Sequence, residues 1–329
     1  MAELGKGRVC VTGGTGFIGS WIIKKLLEDG YSVNTTVRAD PEKKRDVSFL
    51  TNLPGASEKL KIFNADLDDP ESFNEAIEGC VGIFHTAASV DFEEKEAEEI
   101  VTKRSIDGAL GILKAACKNS KTVKRVVYTS SASAVYCQDK EKEKDVMDES
   151  YWSDIDILRN HKPFGWAYSV SKTQAEKAVL EYGQQNGLDI VTVIPTIVVG
   201  PFICPKLPTS VYGVLPFLFG NNSPISRFHM VHVDDVARAH IFLLEHPNPK
   251  GRYNCSPFLA TLQQILHIVS SNHPEFQIPK SKLLEGPNKG LELPHLTSKK
   301  LTDAGFEFKH TIEETFEDAI QTCKEKGFF

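Results

Sequence analysis

The sequence has no excess of positive charge. Its 38 lysine and arginine residues are outnumbered by 44 aspartate and glutamate residues, which gives a formal net charge of −6 at pH 7. Proteins that bind nucleic acid gain much of their affinity from clustered basic residues that neutralise phosphates. The charge balance therefore argues against a nucleic-acid partner.

Cysteine is sparse and scattered. The seven cysteines are odd in number, and the two nearest ones, Cys117 and Cys137, are 20 residues apart. This excludes a dense disulfide framework and CxxC metal spacing, and it favours a reducing compartment. We therefore expect a cytoplasmic protein without a metal centre. The His229-Met230-Val231-His232 segment does not change this expectation, because an HxxH spacing on a strand turns the two rings to opposite faces.

The sequence also lacks a long uninterrupted hydrophobic run. Residues 1–7 contain Glu3 and no apolar segment, and the most apolar later stretch, residues 190–204, is interrupted by two prolines and a glycine. We therefore expect neither a signal peptide nor a membrane span. A GxSxG sequence is missing as well, which excludes the nucleophile elbow of the α/β-hydrolases.

What the sequence does contain is a regular alternation of strand and helix patterns up to residue 200. Apolar runs predict strands, and apolar residues at spacings of three and four predict helices. The predicted strands are 8–11, 31–37, 60–65, 81–86, 124–130 and 189–199, and the predicted helices are 17–30, 46–53, 69–79, 100–117 and 167–185. Strands that alternate with helices predict an α/β fold with a doubly wound parallel sheet of the Rossmann type.

The pattern loosens after residue 200, where prolines and glycines are concentrated up to residue 224. Further strands are predicted at 230–233 and 251–255, and helices from Asp234, at 261–271 and at 312–326. We expect a dinucleotide-binding domain at 1–200, with 230–256 returning to it, and a smaller, mostly helical substrate lobe at 201–229 and 257–329. The apolar run 211–219 fits either the wall of a pocket for a planar substrate or the core of this lobe, because the two share a composition.

A glycine-rich turn follows the first predicted strand. Residues 12–19 read TGGTGFIG, which satisfies both GxGxxG and GxxGxxG, and the first predicted helix begins within this segment. Glycines in this context allow a tight turn, close approach of the backbone to a pyrophosphate, and close packing of the helix. The position between strand and helix predicts a dinucleotide site.

The residue after the second predicted strand bears on which dinucleotide is bound. Enzymes that use NAD usually place an acidic residue there to bind the ribose hydroxyls. This chain has Arg38, whose guanidinium suits the 2′-phosphate of NADP, and Lys44 adds a second positive charge. Asp40 keeps the NAD alternative open. Asp66, after the third predicted strand, is placed to border the adenine pocket.

Two tyrosine–lysine pairs have the YxxxK spacing that places both side chains on one face of a helix, where the lysine ammonium can lower the pKa of the tyrosine phenol. The pair Tyr136 and Lys140 opens a charged segment, whereas Tyr168 and Lys172 belong to an apolar stripe that continues along the same predicted helix. A lysine in a buried stripe is costly unless it has partners, and a tyrosine phenol and a ribose diol would supply them. The second pair is therefore the candidate for catalysis.

Two serines, Ser130 and Ser131, stand at the carboxyl end of the fifth predicted strand. The carboxyl end of a strand in a parallel sheet is where ligands bind, so Ser130 or Ser131 is placed to polarise a carbonyl group. The sequence does not distinguish which of the two side chains faces the ligand.

Together these segments resemble the extended short-chain dehydrogenase/reductase family, and within it the plant dihydroflavonol reductases and related reductases of legume isoflavonoid metabolism. The likeness covers nearly the whole chain. It is carried by TGGTGFIG at 12–19, Arg38, the Thr129-Ser130-Ser131 strand end, YSVSK at 168–172, Pro195-Thr196, HVDDVA at 232–237, and longer stretches such as RFHMVHVDDVARAH.

The resemblance implies roles for the matching residues. It makes Ser131 the hydrogen-bonding group for the substrate carbonyl, Tyr168 the proton donor, and Lys172 the ribose-binding group that tunes Tyr168. The implied cofactor contacts are Gly13, Thr15, Gly16, Phe17, Ile18, Gly19, Arg38, Lys44, Asp66, Leu67, Thr86, Ala87, Tyr168, Lys172, Pro195, Thr196, Ile197, Val198 and Ser210. Ser89 and Tyr136 are the implied substrate contacts, and dihydroflavonol reductases commonly carry asparagine at the position of Tyr136.

The function implied by this resemblance is NADPH-dependent reduction of a carbonyl on a flavonoid- or isoflavonoid-type aromatic ketone. A dihydroflavonol reductase or another aryl ketone or aldehyde reductase is the nearest alternative. A nucleotide-sugar epimerase on the same scaffold would retain NAD, and Arg38 argues against it. A non-catalytic NADP-binding regulator would not need Lys172 in a buried stripe.

Overall fold

Seven parallel strands form the main sheet in a computed structural model that describes residues 6–38, 46–88, 96–139, 146–219, 227–278 and 295–329. The strands of the described chain are β1 (Arg8–Thr12), β2 (Ser32–Val37), β3 (Leu60–Asn64), β4 (Gly82–His85), β5 (Arg125–Thr129), β6 (Val146–Met147), β7 (Ile190–Pro195), β8 (Ile197–Val199), β9 (Arg227–His232), β10 (Gly251–Cys255), β11 (Phe258–Thr261) and β12 (His295–Leu296). The main sheet has the order β10-β7-β5-β4-β1-β2-β3, and every neighbouring pair is parallel. The predicted doubly wound sheet is confirmed.

Helices cover both faces of this sheet. The helices of the described residues are α1 (Phe17–Glu28), α2 (Ser48–Thr51), α3 (Ala56–Lys59), α4 (Asn74–Ile77), α5 (Glu98–Lys118), α6 (Ile155–His161), α7 (Trp166–Asn186), α8 (Thr209–Val214), α9 (Val233–Glu245), α10 (Leu262–Asn272), α11 (Lys299–Asp303) and α12 (Ile312–Glu325). Helices α1 and α9 pack together over one face, and α5 and α7 pack together over the other. None of the described helices is both long and apolar enough to cross a membrane.

The apolar run that predicted one strand at 189–199 forms two strands in two different sheets. Strand β7 ends at Pro195, which has no N–H to continue a ladder. The N–H of Thr196 donates to Cys255 O at 3.2 Å, and β8 then joins a second sheet. The apolar pattern continues across the break, so it does not mark the change of sheet.

The second sheet contains β11, β9 and β8, with β8 parallel and β11 antiparallel to β9. Strand β9 begins at Arg227, three residues before its predicted start, and β11 was not predicted. Helices α8, α10 and α12 pack around this sheet, and their shared core includes Val211, Val214, Phe228 and Phe316. The smaller lobe is therefore built from helices around a short sheet.

Candidate active site

The turn between β1 and α1, together with the first turn of α1, contains three glycines that the protein's own packing requires. Gly13 has φ +73°, and a Cβ there would lie 2.9 Å from the backbone of Ala87. A Cβ on Gly14 would lie 2.1 Å from Thr35 Oγ1, and one on Gly19 would lie 2.5 Å from the carbonyl oxygen of Gly13. Each of these contacts is too close for a side chain, so the turn can form only with glycine.

Gly16 differs from these three glycines because the protein itself leaves room beside it. It is exposed, and a Cβ there would meet only the carbonyl oxygen of Gly13, at 3.3 Å. Gly16 is also the N-cap of α1, so the backbone N–H groups of the first turn of the helix lie directly beyond it. Open space in front of a helix N-terminus fits the pyrophosphate of a dinucleotide. Thr15, Phe17 and Ile18 flank Gly16 at this point.

The ends of β1 and β4 are joined by side-chain hydrogen bonds. Thr86 Oγ1 donates to Thr12 O at 2.6 Å, and the N–H of Ala87 donates to Thr12 Oγ1 at 3.2 Å. Thr12 Oγ1 also contacts His85 Nδ1 at 2.8 Å, and burial lowers the pKa of His85 to about 3, which keeps the ring neutral. These bonds hold Thr86 and Ala87 beside the glycine turn, where the resemblance places them.

The predicted ribose and adenine contacts lie further along the same edge of the sheet. Arg38 is exposed and directly follows β2. Asp66 follows β3, and its Oδ1 accepts from the N–H of Asp68 at 3.1 Å. Leu67 packs against Gly108 of α5. Asp40, Lys44, Ser89 and Lys140 lie outside the residues that the structure describes.

Helix α7 brings Tyr168 and Lys172 to the carboxyl end of β5. Lys172 is 7% exposed, its Nζ donates to Thr129 O at 3.0 Å, and this nitrogen lies 6.0 Å from the centre of the Tyr168 ring. Ser131 forms a hydrogen bond with Tyr168, whereas Ser130 Oγ donates to Glu176 at 2.7 Å. The structure therefore brings Ser131 to Tyr168 and turns Ser130 away from it.

Burial dominates the pKa values of both candidate residues. It raises the pKa of the Tyr168 phenol, and the hydrogen bond with Ser131 opposes this effect. It lowers the pKa of Lys172 to about 8, and the negative charge of Glu176 opposes that shift. The sequence led us to expect that the Lys172 ammonium would lower the pKa of Tyr168. In the structure the ammonium is bound to Thr129 O, and the burial of the phenol prevails.

The remaining predicted cofactor contacts follow β7 at the same edge of the sheet. Pro195 ends β7, and Thr196 Oγ1 donates to Cys255 O at 3.4 Å. Ile197 and Val198 belong to β8, and Ser210 Oγ donates to Val198 O at 2.6 Å. Because β1, β4, β5 and β7 are parallel, their carboxyl ends share one edge, where ligands of such sheets bind.

Tyr136 lies close to two histidines that the sequence did not connect with it. Its hydroxyl is buried and has no hydrogen-bond partner among the described residues. Its ring centre is 6.2 Å from that of His229, which in turn is 5.3 Å from that of His295. The sequence carries no signal for this cluster, because β9 and β12 bring the two histidines to Tyr136 from distant segments. Of the predicted wall 211–219, Val211, Val214 and Leu215 belong to the lobe core.

Among the residues that the structure describes, one cluster has residue types that could bind a metal. The ligand atoms of His232, His310 and Asp318 lie within 4.8 Å of one another. His232 Nδ1 accepts the N–H of Asp234 at 3.0 Å, and burial lowers the pKa of His232 to about 4, so the ring is neutral with its proton on Nε2. That nitrogen faces Asp318 Oδ2 at 3.2 Å. A metal needs a nitrogen lone pair, and this tautomer offers none on the Asp318 side.

Comparisons of sequence agree with this geometry. Residues 9–256 match the model of the NAD dependent epimerase/dehydratase family. The chain is 66% identical to vestitone reductase of Medicago sativa, with full coverage of both chains. It is 45% identical to a bifunctional dihydroflavonol 4-reductase/flavanone 4-reductase of Malus domestica, over 97% of this chain and 91% of that protein.

Solved structures give the same result. The crystal structure of vestitone reductase from alfalfa superposes with a TM-score of 0.89 at 63% identity, covering 98% of this chain and 100% of that one. Yeast methylglyoxal/isovaleraldehyde reductase Gre2, complexed with NADPH, superposes with a TM-score of 0.83 at 26% identity and the same coverage. The resemblance drawn from the sequence and the predicted enzyme class, an oxidoreductase, are confirmed. The chain belongs to the NAD dependent epimerase/dehydratase family.

Proposed function

We propose that this protein is a cytoplasmic, NADPH-dependent reductase that converts the ketone of a flavonoid- or isoflavonoid-type aromatic compound to an alcohol. The observation that carries the proposal is the meeting of Ser131, Tyr168 and Lys172 at the carboxyl end of β5. The names of the relatives at 66% and 45% identity, vestitone reductase and dihydroflavonol 4-reductase, support the substrate class. All seven cysteines are free thiols, which suits a reducing compartment.

The nicotinamide cofactor, when bound, supplies the hydride that reaches the carbonyl carbon. The open space at Gly16 before the N-terminus of α1 fits its pyrophosphate. Arg38 would bind the 2′-phosphate through charge-assisted hydrogen bonds, with Lys44 as a second cation. Asp66 and Leu67 would border the adenine, and Thr86 and Ala87 would contact the dinucleotide. The residues from Pro195 to Val198 would border the nicotinamide, and Ser210 would be a further cofactor contact.

The proton chemistry is assigned to the hydroxyls of Ser131 and Tyr168. As the carbonyl becomes an alcohol, negative charge develops on its oxygen, and hydrogen bonds directed at that oxygen stabilise the transition state. A proton donor must carry its proton at neutral pH, and burial keeps the Tyr168 phenol protonated by raising its pKa. Lys172 would bind the ribose and keep a positive charge beside the phenol as the proton leaves.

Tyr136 is assigned to the substrate. A buried hydroxyl needs a hydrogen-bond partner, and the described residues offer none to Tyr136. Because Tyr136 follows the short helix Ala132–Ala134 that begins after Ser131, a substrate bound at Ser131 could offer a polar atom to this hydroxyl. Ser89, the second implied substrate contact, stays a prediction from the resemblance.

The proposed role of Tyr168 as proton donor is tested by removing its hydroxyl while keeping its ring. We expect Tyr168→Phe to lose most of kcat in an assay that follows NADPH consumption with flavanones, isoflavanones and dihydroflavonols, while NADPH binding is retained. Lys172→Ala should impair both turnover and NADPH binding. The matched control is Tyr182→Phe on the same helix, whose hydroxyl lies near Cys117 rather than near Ser131, and it should keep full activity. Near-normal turnover of Tyr168→Phe would show that the proton donor lies elsewhere.

The proposed substrate class is tested by comparing activity on aromatic ketones with activity on nucleotide sugars. We expect reduction of flavonoid- or isoflavonoid-type ketones and none of nucleotide sugars. Tyr136→Phe should raise KM for the best aromatic ketone while NADPH binding stays unchanged, because only one hydrogen bond to the substrate is lost. An unchanged KM would remove Tyr136 from the substrate site, and activity confined to nucleotide sugars would contradict the proposed function.

A further inference from the structure

A buried glutamate, Glu176, lies one helical turn beyond Lys172 on α7. Glu176 is completely buried, and each of its two oxygens accepts two hydrogen bonds. Oε1 accepts from Thr192 Oγ1 at 2.6 Å and from Arg252 Nε at 3.0 Å. Oε2 accepts from Ser130 Oγ at 2.7 Å and from Arg252 Nη2 at 3.1 Å. This carboxyl group is therefore surrounded by four donors, two of them from one guanidinium.

The partner of Glu176 is equally well fixed. Arg252 is 6% exposed, and its Nη1 donates to the carbonyl oxygens of Glu149 and Tyr151. Its guanidinium lies 3.5 Å from the centre of the Trp152 ring. A bidentate pair with these additional contacts has one geometry, so Glu176 cannot move without displacing β10 and residues 149–152.

Lys172 and Glu176 both bind the end of β5, directly before Ser131. Lys172 binds the carbonyl oxygen of Thr129, and Glu176 binds the side chain of Ser130. Two consecutive residues of the chain are therefore tied to α7, the helix that also carries Tyr168. Because Ser131 comes next, the same bonds set its position relative to the phenol.

Glu176 is also the charged group that faces Lys172. Among the described residues around the ammonium, Tyr128 of β5 and Tyr168 of α7 have raised pKa values and are neutral at pH 7, and burial keeps His85 of β4 neutral as well. Helix α5 contributes Ser105, which bonds to Ser171, and its buried Glu98 is paired with Arg159. Glu176 is therefore the negative charge that favours the ammonium of Lys172, and Arg252 is the ion-pair partner of Glu176.

We propose that Glu176, held by Arg252, is a positioning residue of this reductase: it fixes the end of β5 against α7 and places a negative charge one helical turn from Lys172, without contacting the substrate. The inference rests on the roles proposed above for Lys172 and Tyr168.

The experiment changes the two halves of the pair separately and measures kcat as a function of pH. Glu176→Gln removes the negative charge with little change of shape, so Lys172 should lose its proton at a lower pH. The alkaline limb of the profile, which is the pH range in which kcat falls as Lys172 loses its proton, should therefore move down by about one pH unit. Arg252→Gln leaves the charge of Glu176 uncompensated, so the limb should move up by about the same amount. A merely structural pair would lower stability in both variants and would not move the limb in opposite directions.

Matched variants separate charge from stability. Arg252→Lys keeps the positive charge, so the alkaline limb should stay in place. Asp189→Asn removes the partner of Arg125 at the opposite end of β5, where Nη2 and Oδ2 are 2.7 Å apart, and it should lower the melting temperature without moving the limb. If Glu176→Gln or Arg252→Gln does not fold, Thr192→Val takes its place in the experiment. This change removes one hydrogen-bond donor to Glu176 and leaves its negative charge less compensated. The alkaline limb should then move up, by a smaller amount than in Arg252→Gln.

The outcomes distinguish this inference from the proposed function. Opposite shifts in Glu176→Gln and Arg252→Gln, or an upward shift in Thr192→Val, support the inference. Shifts in the same direction, or a limb that stays in place in every variant that folds, overturn it. If Tyr168→Phe and Lys172→Ala also keep near-normal turnover, the proposed function fails as well; if those two lose turnover, only the role of Glu176 is wrong.

Discussion

At the scale of single residues, Lys172 combines a charge with nearly complete burial. Its ammonium has lost water, and the carbonyl oxygen of Thr129 and the nearby Glu176 replace only part of that solvation. Burial therefore lowers the pKa of Lys172 to about 8, within the range in which an enzyme assay is run. The proposed mechanism needs the charged form.

This gives a pH dependence of known sign. We expect kcat to be constant below about pH 7 and to fall as the pH rises through about 8, because Lys172 then loses its proton and its charge. The measurement is kcat with saturating NADPH on both sides of that pH. Lys172→Arg is the control, since a guanidinium stays charged and should remove the alkaline limb even where the rate is lower. A wild-type profile that stays flat well above pH 8 would contradict the assignment.

Arg38 supplies the second prediction at this scale. Arg38→Asp should weaken NADPH binding about tenfold or more and leave NADH binding less affected, because a charge-assisted contact to the 2′-phosphate contributes about 1.5–3 kcal/mol. Dissociation constants for both dinucleotides test this. Lys121→Asp makes the same kind of charge change at another exposed position and should leave the ratio of the two constants unchanged. Equal affinity of the unaltered protein for NADPH and NADH would remove Arg38 from the cofactor site.

The residues of the site were predictable only where a local pattern encodes them. Tyr168 and Lys172 stand four apart in an apolar stripe, so helical periodicity alone brings them together. The direction of a side chain at the end of a strand depends on how the chain leaves the sheet, and the choice between Ser130 and Ser131 therefore required the structure. Glu176 continues the stripe, yet its partner Arg252 comes from another strand and leaves no signal near it in the sequence.

At the scale of elements, α5 packs closely because two glycines face the segment after β3. A Cβ on Gly108 would lie 2.7 Å from Leu67 Cδ2, and one on Gly111 would lie 2.2 Å from Pro70 Cβ. The 3₁₀ helix Pro70–Phe73 therefore lies directly against the helix backbone. This close approach fixes the loop that carries Asp66 and Leu67.

Gly111→Ala should destabilise the protein by about 1–3 kcal/mol, because the added methyl group has no room against the ring of Pro70. The free energy of unfolding in urea measures this effect. Gly213→Ala in α8 is the matched control, since no atom lies within 4 Å of a Cβ at that position, and there the change should be neutral or should stabilise by up to about 1 kcal/mol. Equal effects of the two substitutions would contradict the packing argument.

The elements of the main sheet could be predicted because each strand and the helix after it carry their own periodicity. The break after Pro195 was missed because both halves of the run are apolar. Of the segment 230–256, which was expected to return to the dinucleotide domain, α9 and β10 pack with the main sheet, whereas β9 belongs to the second sheet. The predicted boundary between residues 229 and 230 therefore falls within β9, and the division into domains stays a prediction.

At the scale of the whole molecule, the start of α9 connects the main sheet with the C-terminal segment. Asp235 is completely buried and accepts hydrogen bonds from Arg238 Nη1 at 2.7 Å, from the N–H of Lys309 at 2.9 Å and from the N–H of His310 at 3.2 Å. Its neighbour Asp234 accepts from Trp21 Nε1 of α1 at 3.0 Å. Two adjacent carboxylates therefore hold α1, α9 and the segment before α12 together.

Asp235→Asn should lower the free energy of unfolding by about 1.5–3 kcal/mol, because a buried carboxylate that accepts three hydrogen bonds is replaced by an amide whose nitrogen faces other donors. The control is Asp303→Asn, which removes an exposed ion pair with Lys299 and should cost less than about 1 kcal/mol.

Because Asp235 joins the C-terminal segment to the main sheet, tryptophan fluorescence and far-ultraviolet circular dichroism should shift together in a single transition. NADPH should raise the midpoint of both variants through its binding to the folded state. Separate transitions for the two probes in Asp235→Asn would instead mean that the C-terminal segment unfolds on its own and that the site at the sheet edge does not depend on it.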